Sequence, residues 1–500
     1  MEIVFENKML DSYREYVNQV KRVQESAESV VPDTNEDIGR IASVQTGLLL
    51  KSKDVTSRGV LVSGEAQASL LYITEDESAV SFVKLSKSFS MEFDVQDLKD
   101  DSLAQINLNI INTETRIINP RKVSVTMEIQ GELSCYCEEK TEIKTELPEV
   151  SDLNFHAKIE NTDAVIASAV CEKTFTLNDQ FVFPSGKPVP QKLVLQKVDF
   201  AVTETQYIGS KVIVKGNAII HTCYQSSEVN YPLRTEFTAP FSQIVDAGCD
   251  GMDSCTAFIE LTSAYFDLID TISGEKALDV ELHALIQLVA RERCKISYIS
   301  DAYSNVMPLE CGVQNCRIDS VSDMYRAKLN ADERISVVED CSDVLSIFAE
   351  AGLPVLSNGK LNAAVSLDII YKTRSGTLSA ARRVVNLEGE YITSPTRILK
   401  YRLSDVYLRP DGAFIDAHIS MELSYHSGTS NDVMRVCSVE LDEDNAYDIS
   451  SFASLSLVRV EEESLWELAK SYHSSPDIIE KMNDTEAVVS GTLILIPKEV

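Results

Sequence analysis

The 500-residue chain is 44% hydrophobic and 25% charged, an ordinary composition for folded domains and long enough for several separate cores. Its 46 Lys and Arg stand against 78 Asp and Glu, a formal charge of −32. Such a field repels phosphate backbones and anionic lipid surfaces, so nucleic acid and acidic membranes are poor candidates as partners.

Met1 to Val20 carry neither the cationic start nor the uninterrupted apolar run of a secretory signal. No later stretch reaches the roughly 18 apolar residues that span a bilayer, and a cytoplasmic chain without membrane insertion is expected. Leu10, Tyr13, Val17 and Val20 are spaced by three or four, which predicts a short helix over residues 10–20. Beyond it the chain repeats itself. Val31-Pro32-Asp33, then Val60 to Tyr72 around Gly64, return as Phe183-Pro184-Ser185 and Val212 to Tyr224 around Gly216. Pro32 and Pro184, Gly64 and Gly216, Tyr72 and Tyr224 are each separated by 152 positions. Lys122 to Leu133 returns as Lys276 to Leu288 at about the same displacement, and a more diverged third copy is suggested by Asn362 to Tyr371 and Asp411 to Tyr425.

These segments alternate apolar and polar residues with period two. Val123, Val125, Met127 and Ile129 fall on one face, with Ser124, Thr126, Glu128 and Gln130 on the other. Half-buried antiparallel strands follow, and about 150 residues of them favour a β-sandwich or open barrel. The expected organisation is mainly β, with copies over residues 1–145, 146–300 and 301–427. A linker over 428–452, read from its Ser, Thr, Asn and acidic residues, then leads to a small α+β module over 453–500.

In that module Leu455 to Val460 reads as a strand. Ser464 with Glu467 forms a capping box, and Leu465, Leu468, Ala469 and Tyr472 make one apolar helix stripe. Ser475-Pro476 starts a second helix lined by Ile478, Ile479 and Met482, which Asn483 stops. Gly491 precedes a last strand, Thr492 to Ile496, which Pro497 ends. Trp466, Leu468, Ala469, Tyr472, Ile478, Met482 and Leu495 are the predicted core, organised around the single tryptophan of the chain.

This strand-helix-helix-strand stretch resembles a LysM domain through Ser464-Leu465-Trp466, Leu468-Ala469, Tyr472, Met482-Asn483 and Gly491 to Pro497. Glycan-binding LysM modules usually carry Gly-Asp where this chain has Glu462 and Glu463, after Glu461. Three carboxylates there repel an anionic wall polymer and lack glycine's backbone freedom, so a protein ligand is the better expectation and N-acetylglucosamine glycan the alternative. The whole chain resembles the SipL-type spore-coat morphogenetic proteins, in which SPOCS domains precede a C-terminal LysM. Val31 to Ile41, Gly64 to Tyr72, Ile117 to Val123 and Phe183 to Pro188 carry the likeness. The resemblance implies a mother-cell cytoplasmic protein recruited to the forespore surface, whose LysM module contacts the ATP-hydrolysing protein of the coat basement layer.

No phosphate-binding glycine loop, Gly-x-Ser-x-Gly elbow or His-Glu-x-x-His is present. The six histidines (156, 221, 283, 418, 426 and 473) are scattered, and the close cysteine pairs, Cys135 with Cys137 and Cys311 with Cys316, lack matching zinc partners. The eleven cysteines read as reduced and mostly buried small hydrophobes. Asp33, Glu36 and Asp37 read as turn residues rather than a cation site. The expectation is a non-catalytic assembly protein with no cofactor or metal, whose rivals are a glycan binder and an enzyme assembled from the repeats. The partner-binding loops are expected at Glu461, Glu462, Glu463, Ser464 and Leu465 and at Asn483, Asp484 and on to Val489. The uncovered side of Leu493 to Ile496 is expected to join them, because that strand is apolar on both faces and can bury only one.

Overall fold

A computed structural model of the chain describes residues 6–56, 58–95, 98, 102–146, 154–484 and 489–499. The elements run β1 (Glu6–Val30), β2 (Ile38–Thr56), β3 (Gly59–Thr74), β4 (Val80–Asp94), β5 (Leu103–Asn119) and β6 (Lys122–Glu146). They continue as β7 (Phe155–Val182), β8 (Lys192–Ile208), β9 (Lys211–Gln225), β10 (Leu233–Asp246), β11 (Ser254–Asp270) and β12 (Lys276–Ser304). Then come β13 (Leu309–Ala351), β14 (Val355–Ser357), β15 (Lys360–Thr373), β16 (Leu378–Gly389) and β17 (Arg397–Leu441). The chain ends with β18 (Leu455–Arg459), helices α1 (Leu465–Ser471) and α2 (Pro476–Asn483), and β19 (Leu493–Pro497). The molecule is mainly β, with several antiparallel sheets.

Three strand groups each enclose a core. Sheet β2-β3-β4 closes over β1, β5 and β6 around Val62, Phe89, Met127 and Ile129. Sheet β8-β9-β10 closes over β7, β11 and β12 around Phe175, Val214, Phe241 and Leu282. In the third group β13 pairs with β17 over Leu309–Ser336 and with β15 over Cys341–Ala351, so one strand serves both layers around Leu329, Leu367 and Met421. The alternation read from the sequence decides which side chains face inward. Val123, Val125, Met127 and Ile129 are buried, as are Val280, Leu282, Ala284 and Ile286, and Ile415, Ala417, Ile419 and Met421. Tyr72, Tyr224 and Tyr371 are fully buried at matching ends of β3, β9 and β15.

One small-residue position recurs with its neighbours. Gly64 lies opposite Phe89, Gly216 opposite Phe241, and Ala363 opposite Leu387. A Cβ at Gly64 would strike the Phe89 ring and the Leu49 carbonyl, and one at Gly216 the Phe241 ring and the Ala201 carbonyl. Where the facing ring shrinks to leucine, alanine is accommodated.

The outer faces of the small sheets meet at a separate apolar junction of Leu71, Ile73, Phe82, Val194, Phe348 and Ile370. Polar ties flank it: Ser346 donates to the Pro232 carbonyl at 2.7 Å, and the Thr46 hydroxyl to Glu350 at 2.9 Å. Gln287 bridges to Ile106, accepting from its N–H at 2.9 Å and donating to its carbonyl at 2.8 Å. Arg397 reaches Glu132 at 2.8 Å and Glu15 at 3.5 Å.

Beside Arg397 lies a titratable seam. His426 shares a 3.1 Å hydrogen bond with Thr256, and burial, then the charges of Arg291 and Arg397, lower its pKa from 6.5 to about 4. The unfolded chain therefore binds the extra proton between those values, so stability present above pH 6.5 is lost as pH falls toward 4. The expected loss is on the order of 2 kcal/mol by about pH 4.5. Urea midpoints at pH 7 and 4.5 should converge in His426→Gln; an unchanged gap would move the acid sensitivity elsewhere.

Two sequence expectations are corrected here. The predicted helix over Leu10 to Val20 is part of β1, hydrogen-bonded to β6 from Glu6 to Val30. A bulge between Glu15 and Val17 resets the alternation, so Val17 and Val23 turn toward the first core while Val20 points outward; this shift mimics a helical spacing. The predicted linker over 428–452 is strand up to Leu441, paired with β13 from Gly428↔Ser322 to Leu441↔Leu309. Val436 and Val439 hold it by packing on Ile299 and Ala302, and the remainder contains short turns at Glu443–Asn445 and Ile449–Ser451.

Candidate functional site

The C-terminal module grows from two short helices laid on one hairpin. β18 and β19 pair antiparallel, with Leu457 opposite Leu495 and Arg459 opposite Leu493. Alternation divides them: Ile494 and Ile496 turn inward with Leu468, Ala469, Ile479 and Val460, while Leu455, Leu457 and Leu493 stay 49%, 64% and 64% exposed. Ser464 caps α1 in a complete capping box, its hydroxyl accepting from the Glu467 N–H while the Glu467 carboxylate accepts from the Ser464 N–H. That backbone hydrogen bond, then the Ser464 hydroxyl, holds the Glu467 carboxyl below its usual range. Pro476 opens α2, and Asp484 closes it in the left-handed conformation, φ 50°.

The module is seated on the end of β12. The Trp466 indole N–H donates to Asp301 at 2.8 Å, and Lys470 reaches both oxygens of the same carboxylate at 2.9 Å. The Trp466 ring meets Tyr303 edge-on, centroids 4.9 Å apart, and the Tyr303 hydroxyl donates to the Ser474 carbonyl at 2.7 Å. Burial, then the neighbouring carboxylates, push that phenol well above its ordinary value, so it stays a donor at any physiological pH. On the other flank Glu499 meets His156 at 3.0 Å and Asn305 at 3.2 Å. The connecting segment is pinned as well: the Asp442 and Tyr447 N–H groups donate to the carbonyls of Pro308 and Val306.

The structure sorts the predicted residues. Glu461, Glu462 and Glu463 are exposed, with Ser464 exposed and Leu465 half-buried against the core. Asp484 is exposed, but the Asn483 side chain is committed inward: its Oδ1 accepts from the Leu495 N–H at 2.8 Å, and its Nδ2 donates to the Leu495 and Ile479 carbonyls. Asn483 is thus a clamp between α2 and β19 rather than a free loop group. Residues 485–488 of the predicted second loop lie outside the described residues.

Among the predicted core residues, Leu468 and Ala469 are buried; Ile478 and Leu495 are half-buried and outside the core cluster, Leu495 because it shares the outer face with Leu493 and with Leu457 opposite it, and Ile479 takes the central place. Tyr472 and Met482, at 39% and 48% exposed, are not core, because α1 ends at Ser471 and α2 shows the Met482 side to solvent. Trp466 is half-buried at the seam instead of central, since aliphatic side chains and Tyr303 fill the interior. Sequence reasoning missed Leu455 and Leu457, which Leu-Ser-Leu alternation marks, and the Asp301–Tyr303 seat, which no local signal marks.

Among the described residues no group of three His, Cys, Asp or Glu is placed to hold a metal ion. The eleven cysteines are unpaired; Cys135, Cys137, Cys223, Cys255 and Cys341 are buried, Cys437 is exposed and the others are intermediate. Burial pushes the Cys135, Cys171 and Cys255 thiols up to about 11 and Cys223 to about 12, which makes them inert. The acidic turn Asp33 to Asp37 wraps Arg121, whose guanidinium meets Asp37 at 2.6 Å and Asp33 at 3.4 Å.

The chain is a mainly β, multi-sheet protein in which no described helix is long and apolar enough to cross a membrane. Residues 37–118, strands β2 to β5, match the family described as SipL, SPOCS domain, which supports a SipL-type, sporulation-related protein. No curated protein and no solved structure matches the chain.

Proposed function

We propose that the chain is a non-catalytic assembly protein of the spore coat, built from three SPOCS-type sandwiches and a LysM-like docking module. The recurring Gly64/Phe89, Gly216/Phe241 and Ala363/Leu387 pairs support three copies of one unit, ending near residues 146, 304 and 441. The order β18-α1-α2-β19 with its capping box supports the LysM likeness. The observation that carries the docking role is the outer strip of Leu455, Leu457 and Leu493, exposed on the face of the hairpin opposite Ile494 and Ile496, with the exposed Glu461 to Glu463 following β18 in the chain. An exposed apolar strip is the mark of a protein interface, and the three carboxylates repel an anionic glycan wall. The partner is the ATP-hydrolysing coat basement-layer protein, met on the forespore surface from the mother-cell cytoplasm, with SPOCS-type contacts adding avidity across a crowded layer.

The test is Leu457→Lys with Leu493→Lys in the full chain. Both side chains are exposed, so the thermal transition should stay within a degree or two, while retention on the immobilised basement-layer protein falls at least about tenfold. Unchanged retention sinks the proposed interface. Firm retention of the unaltered protein on insoluble peptidoglycan would instead favour the glycan reading.

A further inference from the structure

Between the three strand groups, beside the junction of the small sheets, lies a chamber of about 1560 Å³. Its wall draws on β2 to β5, β8 to β11, β13 and β15 to β17, so each group contributes. In a chain of net charge −32 this wall is unusual: seven Lys and Arg, among them Lys84, Lys197, Arg234 and Lys400, stand beside six Asp and Glu. None of these four head groups makes a hydrogen bond or a close ion pair among the described residues, and Arg234 rests only over the Phe348 ring, 5.0 Å from its centroid.

Most carboxylates of the same wall are already engaged, the exposed Asp405 excepted. Asp199 and Glu236 share His221, at 3.3 and 3.2 Å. Glu350 accepts from Thr46, and Glu260 accepts from the Leu108 N–H at 3.3 Å. Burial raises Glu260 to about 8, so it is largely neutral at pH 7 and subtracts little positive charge. Burial also lowers Lys400 to about 8, although Asp199 and Glu260 pull the other way, and the ammonium is still charged at pH 7. On the same wall the Gln196 amide nitrogen and the Thr222 hydroxyl are buried without a hydrogen-bond partner. A desolvated cation and an orphaned donor each favour an oxyanion over water.

We propose that this chamber binds a small polyanion, a phosphate or polycarboxylate compound, held by Lys197, Arg234 and Lys400 from two of the strand groups. The volume exceeds that of an ordinary small-ligand pocket, so the anion occupies the cationic side and leaves the remainder to water. This site is separate from the outer strip of the C-terminal module and does not depend on it.

The experiment is calorimetric titration of the full chain at low ionic strength, with inorganic pyrophosphate in one arm and citrate in the other. Saturable binding near one equivalent is expected; saturation by pyrophosphate alone or by citrate alone assigns the class. The double variant Lys400→Met with Arg234→Gln should weaken binding at least tenfold, while Lys51→Gln, on an exposed strand position off the chamber, should leave it unchanged. A second measurement needs no variant: acetic anhydride labelling of the unaltered protein, read by mass spectrometry, should show Lys400 protected by the bound anion and Lys51 not. Absence of saturable binding in both arms, equal weakening by Lys51→Gln, or acetylation of Lys400 indifferent to saturating anion would each overturn the assignment.

Discussion

Gly216→Val should destabilise the protein by about 3 kcal/mol or more, and Gly64→Val by a similar amount. The reason is not backbone conformation, since neither glycine has a positive φ, but space. An added Cβ at either site meets an aromatic ring in front and a backbone carbonyl of the adjoining strand behind. The ring can rotate away; the carbonyl belongs to a ladder and cannot. Gly47→Ala is the control, because a Cβ there meets nothing within 4 Å. Chemical denaturation should show lowered midpoints for the two valine variants and a midpoint within about 0.5 kcal/mol equivalent for Gly47→Ala. If Gly216→Val unfolds like the parent, the close packing of β9 between β8 and β10 is wrongly described.

Trp466→Ala should release the C-terminal module from the end of β12, at a cost on the order of 2–4 kcal/mol in docking. The side chain contributes the edge-on contact with Tyr303 and the bond to Asp301, and its removal leaves the Asp301 carboxylate with Lys470 and the Ala302 N–H. Limited proteolysis reads the outcome: the segment from 442 to 454, pinned in the parent, should be cut many times faster, while the main thermal transition of the three β cores persists. Trp466→Phe keeps a ring against Tyr303 but loses the N–H, and should fall between. Combining Trp466→Phe with Asp301→Ala should give a coupling energy of about 1 kcal/mol or more, because the two groups share a bond. Strict additivity, or cleavage no faster than in the parent, would show that the module is held by other contacts.

The sites of failure and success in the sequence reading share one cause. Period-two alternation around Val123 to Ile129 identified inward faces because a strand with one wet side must alternate, whatever it pairs with. The capping box at Ser464 and the two-helix module were legible because their hydrogen bonds lie within a few residues. The same local rules misread Leu10 to Val20, where a bulge shifts the alternation, and residues 428–441, where polar composition suggested a linker but pairing with β13 supplies the backbone hydrogen bonds.

At the candidate site the exposed Glu461 to Glu463 and the two-faced strand Leu493 to Ile496 were visible in advance, whereas the fate of Trp466 was not. An indole placed after a helix cap can centre a small core or lie at a seam, and only Asp301 and Tyr303, more than 160 positions away, decide between them. The sequence by itself determined the inward faces of the alternating strands, where the two C-terminal helices begin, and that a β-rich body carries a small module. Tertiary structure alone decided how the three cores meet, where the module sits, and which cations share a chamber. Alternation and capping are enforced by neighbours along the chain, but pairing across hundreds of residues is chosen by the global minimum of burial and hydrogen bonding, which no local window contains.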